Sequence, residues 1–175
     1  MQMPFTNLTI DINSIPAVES LFLKPVEKDY KKVMVFRWAL RWAFLFVLLL
    51  VSVSVFELGK KYVLITVISG VFILLALFDL LTRNLSHKKM SYAVREHDVI
   101  FRKGWLIQTL GVCPTKTIQH CKISSDLFER MYNLATLSLY TAGSSGADMK
   151  IRGLNKEDAE KVRVFVMNKQ AGYDE

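Results

Sequence analysis

Residues 42–56 of the chain read WAFLFVLLLVSVSVF, and residues 62–78 read YVLITVISGVFILLALF. Neither stretch contains a charged side chain, and a helix drawn through either one is apolar on almost every face. With their semi-polar flanks the runs extend over 33–56 and 62–81, about 36 Å and about 30 Å at roughly 1.5 Å per helical residue. Both can cross a hydrocarbon core of about 30 Å. The sequence therefore predicts a transmembrane helical hairpin, joined by the short connection 57–61.

Lysines and arginines are distributed unevenly around this hairpin. Two, Lys60 and Lys61, lie in the connection, whereas nine lie near the outer ends of the spans. Because cytoplasmic segments retain the positive charges, we expect both termini in the cytoplasm and a multi-pass protein of the cell membrane. Residues 1–32 lack the pattern of a cleaved signal peptide, so the first span is expected to remain. The nine cations are Lys24, Lys28, Lys31, Lys32, Arg37, Arg41, Arg83, Lys88 and Lys89.

Three ionisable residues lie inside the predicted spans. Arg37 and Arg41 share one helix face near the cytoplasmic end of the first span, where long side chains can snorkel to the head groups. Asp79 lies at a similar depth to Arg41 in an antiparallel hairpin, which predicts an intramembrane ion pair. A structural clamp is the preferred interpretation, because a transporter would ordinarily need more helices and a polar route across the midplane.

The remainder of the 175-residue chain has the composition of a soluble domain. We predict three parts: a cytoplasmic N-terminal arm over 1–32, the hairpin over 33–85 and a cytoplasmic domain over 86–175. In the arm, Leu8, Ile10 and Ile12 alternate with polar residues and either add an edge strand or belong to a loosely held segment. A partly ordered arm that lies against the domain or the membrane surface is the preferred interpretation.

Alternating apolar residues in 86–175 predict a β-rich unit. A hairpin turning at Glu96-His97-Asp98 and closed by Lys103-Gly104 is followed by strands over 106–112 and 117–123, which Pro114 separates. Ser125 or Asp126 can cap a short helix, and Glu129 stands in the capping-box position relative to Asp126. Two more strands, 136–141 and 149–152, flank a polar loop, and a final helix starts after Asn155. Its apolar stripe is Ala159, Val162, Phe165 and Val166.

Several short motifs of this region occur in a familiar order. They are Lys103-Gly104, Pro114 followed by Ile118-Gln119, Arg130, Leu134 and Ala135, Thr141-Ala142-Gly143, Gly153-Leu154 and Ala159. In order and spacing the chain resembles the bacterial pleckstrin-homology-like membrane proteins known as the YdbS-like PH domain family. It departs from them at Asn133, where glycine is common, and at Lys103, where arginine is common. The resemblance implies an α+β fold: a two-helix transmembrane hairpin followed by a PH-like antiparallel β-barrel or sandwich, capped by a C-terminal helix.

Residues suited to catalysis or metal binding are sparse. Cys113 and Cys121 are the only cysteines, and no histidine stands at zinc-ligand spacing from them. Hydrolase, metalloprotease and nucleotide-binding signatures are missing. We therefore expect reduced thiols, no catalytic residue, no metal, no cofactor and no enzymatic activity.

The positive charge suggests a surface for binding. Lys and Arg total 23 against 16 acidic residues, a net charge of +7. Nucleic-acid binding would require a denser basic stripe with exposed aromatic residues, and we do not expect it. Juxtamembrane lysines can attract anionic lipids, although the positive-inside bias explains them equally well. A basic face for a lipid or an acidic partner could form if the strands concerned are neighbours; its candidate residues are Arg102, Lys103, Lys150, Arg152, Lys88 and Lys89.

Three functional hypotheses remain. The first is a membrane-anchored interaction or scaffold module that works as a homo-oligomer or with another membrane protein. The second is a sensor of membrane lipids. The third, a transporter or channel subunit, requires Arg41 and Asp79 to be more than a clamp. The PH-like fold alone does not choose among them, because it serves lipid binding, peptide binding and scaffolding.

Overall fold

A computed structural model describes residues 22–55, 62–142 and 146–171. Two long helices come first, α1 over Tyr30–Val55 and α2 over Tyr62–Lys89. The predicted connection 57–61 and the alternating residues Leu8, Ile10 and Ile12 lie outside the described residues. So do residues 143–145, the first half of the predicted polar loop.

The two helices form the expected antiparallel pair. Their contacts run in opposite directions along the chain: Tyr30 stacks on His87 with ring centroids 6.3 Å apart, and Phe46 meets Phe72 at 6.1 Å. The most apolar parts of the two helices have little other protein cover. Of the most apolar 18-residue window in each, 6% is buried in α1 and 0% in α2. Apolar surface of this extent without protein cover is typical of helices that face lipid.

Seven antiparallel strands build two sheets that do not close into a barrel over the described residues. A 3-10 turn over Thr115–Thr117 connects them. The first sheet has the order β1-β2-β3-β4, with β1 Lys24–Pro25, β2 Ser91–Val94, β3 Asp98–Lys103 and β4 Thr109–Pro114. The second has the order β5-β6-β7, with β5 Ile118–Ser124, β6 Leu134–Thr141 and β7 Met149–Asn155. Together with the helices, this arrangement confirms the predicted α+β, PH-like class.

Two shorter helices complete the domain. Helix α3, Leu127–Met131, begins with the predicted capping box, in which Asp126 accepts a hydrogen bond from the Glu129 backbone and the Glu129 carboxylate accepts one in return. Helix α4, Lys156–Ala171, packs on the second sheet. Its predicted stripe is confirmed: Ala159 and Val166 are fully buried, and Val162 and Phe165 pack against the core.

The core extends beyond the sheets into the start of α1. Val26, Tyr30 and Val33 are buried among the strand residues. Gly153 explains how the chain comes so close: it has φ +75°, and a Cβ there would lie 2.5 Å from Cγ of the Tyr30 ring. The Glu27 N–H donates to the Gly153 carbonyl at 2.9 Å. Residues assigned to the arm and to the first span therefore belong physically to the folded domain.

Two local features differ from the sequence pattern. The predicted strand start at Leu106 is wrong, since β4 begins at Thr109 and the preceding residues form a loop. Asn133, at the position where relatives commonly carry glycine, has φ +53°. Asparagine is one of the few residues that tolerate this left-handed conformation, so the departure is compatible with the fold.

Candidate functional site

A groove of about 460 Å³ lies where the hairpin meets the two sheets. Three cations line it, Lys103 from the end of β3 and Lys150 and Arg152 from β7. All three side chains are exposed to solvent. The helical side of the groove is formed by Met34 of α1 and Ser86 of α2, and its remaining lining includes Tyr30, Met90 and Phe101. A groove that combines an apolar floor with converging cations suits an anionic, partly apolar ligand.

The sequence identified these three cations as candidates, but it did not predict how they come together. The condition stated for a basic face, that the strands be neighbours, is not met, because β3 and β7 belong to different sheets. Lys103, Lys150 and Arg152 nevertheless meet across the space between the sheets. Arg102 is not part of the lining, since successive side chains of a strand point to opposite faces. Lys88 and Lys89 are exposed in the last turn of α2, just past Ser86, but do not line the groove.

One acidic residue lies at the rim of the groove. The carboxylate of Asp148 accepts hydrogen bonds from the Thr141 backbone N–H at 2.8 Å and from the Thr141 hydroxyl at 2.6 Å. These bonds hold Asp148 in the β6–β7 connection. The described lining residues therefore include three cations and one carboxylate, and that carboxylate already accepts two hydrogen bonds from Thr141.

A larger hollow of about 680 Å³ lies between β4 and the β6–β7 connection. Lys116 is the one cation among its described lining residues, and Asp148 lines it as well. This balance of charge offers no comparable attraction for an anion. The groove at the hairpin is therefore the better candidate for binding.

Inside the hairpin, Arg41 and Asp79 are in contact as an ion pair. Asp79 has two further partners that the sequence reading missed: Trp42 donates its indole N–H at 3.0 Å, and Arg83 donates its Nε–H at 3.1 Å. Arg83 lies four residues after Asp79 on the same helix face, a spacing that could have identified it. Asp79 thus joins α1 to α2.

A second carboxylate cluster joins α1 to the domain. Arg37 contacts Asp126 and reaches Glu129 Oε1 at 3.1 Å. The Thr136 hydroxyl donates to the same Glu129 oxygen at 3.0 Å. Phe36 supports the contact by packing on Phe128 with ring centroids 4.7 Å apart. The capping-box residues therefore have a second role that their local pattern did not reveal.

The two thiols are shielded rather than activated. Burial raises the pKa of the Cys113 thiol above its usual range and that of Cys121 to about 11. Both cysteines are free. A nucleophilic cysteine would need a lowered pKa, so neither has the character of a reactive thiolate. Among residues 22–55, 62–142 and 146–171, no group of three or more His, Cys, Asp or Glu side chains could hold a metal ion.

Comparison with known proteins gives two matches. The family model described as "Bacterial PH domain" matches residues 35–170. The transmembrane protein YdbS of Bacillus subtilis strain 168 is 31% identical over 77 residues, which make up 44% of this chain and 46% of the relative. The alignment thus spans less than half of the length of that relative. No solved structure matches the chain. The likeness to a transmembrane protein and the two bare apolar helices together support membrane localisation.

Proposed function

Because the chain belongs to the bacterial PH domain family, we propose that it is a non-enzymatic interaction module anchored in the cell membrane by its helical hairpin. In this proposal both termini and the PH-like domain lie in the cytoplasm. The excess of cations at the outer ends of the spans supports that orientation. The module works in an assembly with a second copy or with another membrane protein.

The observation that carries this proposal is the shared core of hairpin and domain. Tyr30 and Val33 of α1 are buried with the strands, and Arg37 connects α1 to Glu129 one turn farther along. Such a junction holds the domain in one orientation on its membrane anchor. A fixed orientation suits a module that presents a surface to a neighbour.

Among the described strands, β4 is the last of the first sheet, and its outer edge is the surface that we propose for protein contact. An edge strand has unpaired backbone groups that can bind another chain. Leu110 and Val112 on this strand are 40% and 49% exposed. Exposed apolar side chains on a sheet edge are typical of an interaction surface.

Purification of the full chain from membranes in mild detergent, followed by cross-linking and mass analysis, tests this function. We expect the wild type and Val164→Lys to retain the same second copy or membrane protein, and Val112→Lys to lose it. Val164 on α4 is a matched control because it is also a valine and is 46% exposed, close to the 49% of Val112. If all three proteins retain the partner equally, β4 is not the contact surface. If the chain is monomeric and without protein partners, the proposed function is wrong.

The basic groove favours a second function, the binding of anionic phospholipid head groups. The full chain is needed to test it, because the domain without α1 would lack Tyr30 and Val33 from its core. In nanodiscs that contain phosphatidylglycerol, Lys103→Gln/Lys150→Gln/Arg152→Gln should bind this lipid about a hundredfold more weakly, since three cations near the surface at about 1 kcal/mol each contribute about 3 kcal/mol. The control with the same change in charge is Arg102→Gln/Lys122→Gln/Lys161→Gln. Equal lipid retention by the two triple variants would contradict lipid binding at the groove.

A further inference from the structure

The loop between β3 and β4 lies at the membrane end of the first sheet. Strand β2 starts at Ser91, two residues after α2 ends at Lys89. In the register of the sheet Ser91 pairs with Arg102, so β3 runs back toward the helix and its last residue, Lys103, reaches past the start of β2. Residues 104–108 continue from there. The turn between β2 and β3 lies at the opposite end, about 13 Å away for four residues at about 3.3 Å each.

This loop has an unusual composition for an exposed turn. Trp105, Leu106 and Ile107 are consecutive, and they are 39%, 75% and 78% exposed. The turn is also tightly built: Gly104 has φ +91°, and a Cβ there would lie 2.0 Å from the Ile107 carbonyl oxygen. Only glycine fits this turn, so the backbone holds the three apolar side chains together as a compact protrusion.

The level of the loop relative to the bilayer follows from α2. Ile107 lines the same groove as Met34 and Ser86. Ser86 lies seven residues beyond Asp79, or about 10 Å along the helix axis. With Asp79 and its arginines at the edge of the hydrocarbon core, Ser86 lies about 2–5 Å outside a head-group layer about 5–8 Å thick. A loop that continues past Lys103 in the direction of the bilayer can therefore reach the head groups.

The charges around the loop favour a lipid surface over a protein partner. Lys103 is adjacent to the turn, and Lys150 and Arg152 line the same groove as Ile107. Lys88 and Lys89 add two exposed cations at the end of α2. An apolar tip that includes a tryptophan and is surrounded by lysine and arginine is the pattern of a segment at the interface of an anionic membrane.

We propose that the loop Trp105-Leu106-Ile107 inserts into the interfacial layer of the leaflet that faces the domain. The domain is then held on the bilayer at two places, by α1 and α2 and by this loop. The inference rests on the membrane anchoring in the proposed function, but it does not depend on which molecule occupies the groove.

Nitroxide labels on the full chain in nanodiscs of phosphatidylglycerol and phosphatidylcholine test the insertion. The labels are placed singly at Leu106→Cys and Ile107→Cys, with both native cysteines replaced by alanine. Accessibility to oxygen and to a water-soluble nickel complex is then measured for each label. Two control labels calibrate the scale: Glu96→Cys at the opposite end of the sheet, and Leu74→Cys on the lipid-exposed side of α2. Near-UV circular dichroism verifies that each labelled protein is folded.

We expect the loop labels to favour oxygen over the nickel complex more than position 96 does and to lie at the level of the lipid head groups. The label at 96 should be aqueous, and the label at 74 should lie in hydrocarbon. Loop labels as accessible to nickel as position 96, with position 74 still in hydrocarbon, would overturn the insertion and leave the anchoring intact. Loop labels shielded from both reagents would overturn it in favour of a covering protein or second copy. A label at 74 that is aqueous would overturn the anchoring and the insertion together.

Discussion

Arg37 and Arg41 lie one turn apart on α1, but they bind carboxylates in two different parts of the molecule. Arg41 meets Asp79 on the neighbouring helix, and Arg37 meets Glu129 of the β-rich domain. The side chain of Asp79 is 26% exposed within the protein, whereas that of Glu129 is 4% exposed. One arginine therefore stabilises the hairpin, and the other fastens the hairpin to the domain.

The two clusters differ in the number of cations that contact the central carboxylate. Asp79 retains Arg83 and the Trp42 indole if Arg41 is removed. Glu129 has Arg37 as its only cationic partner among the described ion pairs, with neutral donors supplied by Thr136 and the Asp126 backbone. A buried carboxylate that loses its cation is costly, so the junction should be far more sensitive to substitution than the hairpin.

The largest effect is expected for Arg37→Ala. It leaves the Glu129 charge buried without a cation, and we expect the free energy of unfolding of the domain to fall by about 3 kcal/mol, less than for a fully buried pair because Arg37 is partly exposed. Urea unfolding of the full chain in nanodiscs, followed by near-UV circular dichroism, measures the loss. Glu129→Gln in the same protein should restore part of it. A loss below about 0.5 kcal/mol, the scale of a surface pair, would show that the Glu129 contact does not stabilise the junction.

Gly153→Ala tests the same junction from the strand side. The new Cβ would lie within 2.8 Å of three Tyr30 ring and side-chain carbons, at a φ of +75°. We expect a loss of about 2 kcal/mol, because a left-handed residue costs about 1–2 kcal/mol before the clash is counted. Gly146→Ala is the control, since nothing lies within 4 Å of its added Cβ. Equal stability of the two variants would mean that Tyr30 does not pack on this strand.

The junction was the part of the fold that the sequence revealed least. Alternation and capping patterns identified strands and helices in 86–171, since these signals are local. Val26 and Tyr30 instead fell in the predicted arm and Val33 at the start of the predicted first span, because nothing in their own pattern indicates a core formed by strands much later in the chain. Gly153 was the available signal: a glycine inside a strand often marks the close approach of another segment.

A smaller effect is expected inside the hairpin. Arg41→Ala leaves Asp79 with Arg83 and Trp42, so we expect a loss of about 1 kcal/mol or less in helix association. Energy transfer between fluorophores on α1 and α2, measured during titration with a denaturing detergent, reports this change. A loss as large as that from Arg37→Ala would remove the contrast between the two clusters.

The smallest effect concerns the strand β1. Lys24 contacts the Asp158 carboxylate at 2.5 Å, and this hydrogen bond lowers the pKa of Asp158 below its usual 3.8. The stabilisation is therefore present above pH 3.8 and is lost as the pH falls through the folded-state pKa of Asp158. Because the pair is partly exposed, it should contribute about 0.5 kcal/mol or less. The stability difference between wild type and Lys24→Gln should vanish at low pH, and a difference that grows with acidification would contradict this assignment.

The groove was predictable in its residues but not in its geometry. Lys103, Lys150 and Arg152 stood out as cations on strands. Their convergence depends on how two separate sheets meet beneath the hairpin, which is a tertiary property without a local signal. Leu106 and Ile107 of the exposed loop were interpreted as the start of a strand for a related reason: a short apolar run gives the same pattern whether it faces a core or a membrane.

Sided labelling of a single cysteine tests the central claim, that the hairpin anchors the PH-like domain at the cytoplasmic face. Glu96→Cys lies in the exposed turn between β2 and β3, and the wild type with its shielded thiols gives the background. A membrane-impermeant maleimide should label this cysteine only after the cells are permeabilised, and the protein should stay in the membrane fraction until detergent is added. Labelling of intact cells, or recovery of the chain in solution without detergent, would contradict the account.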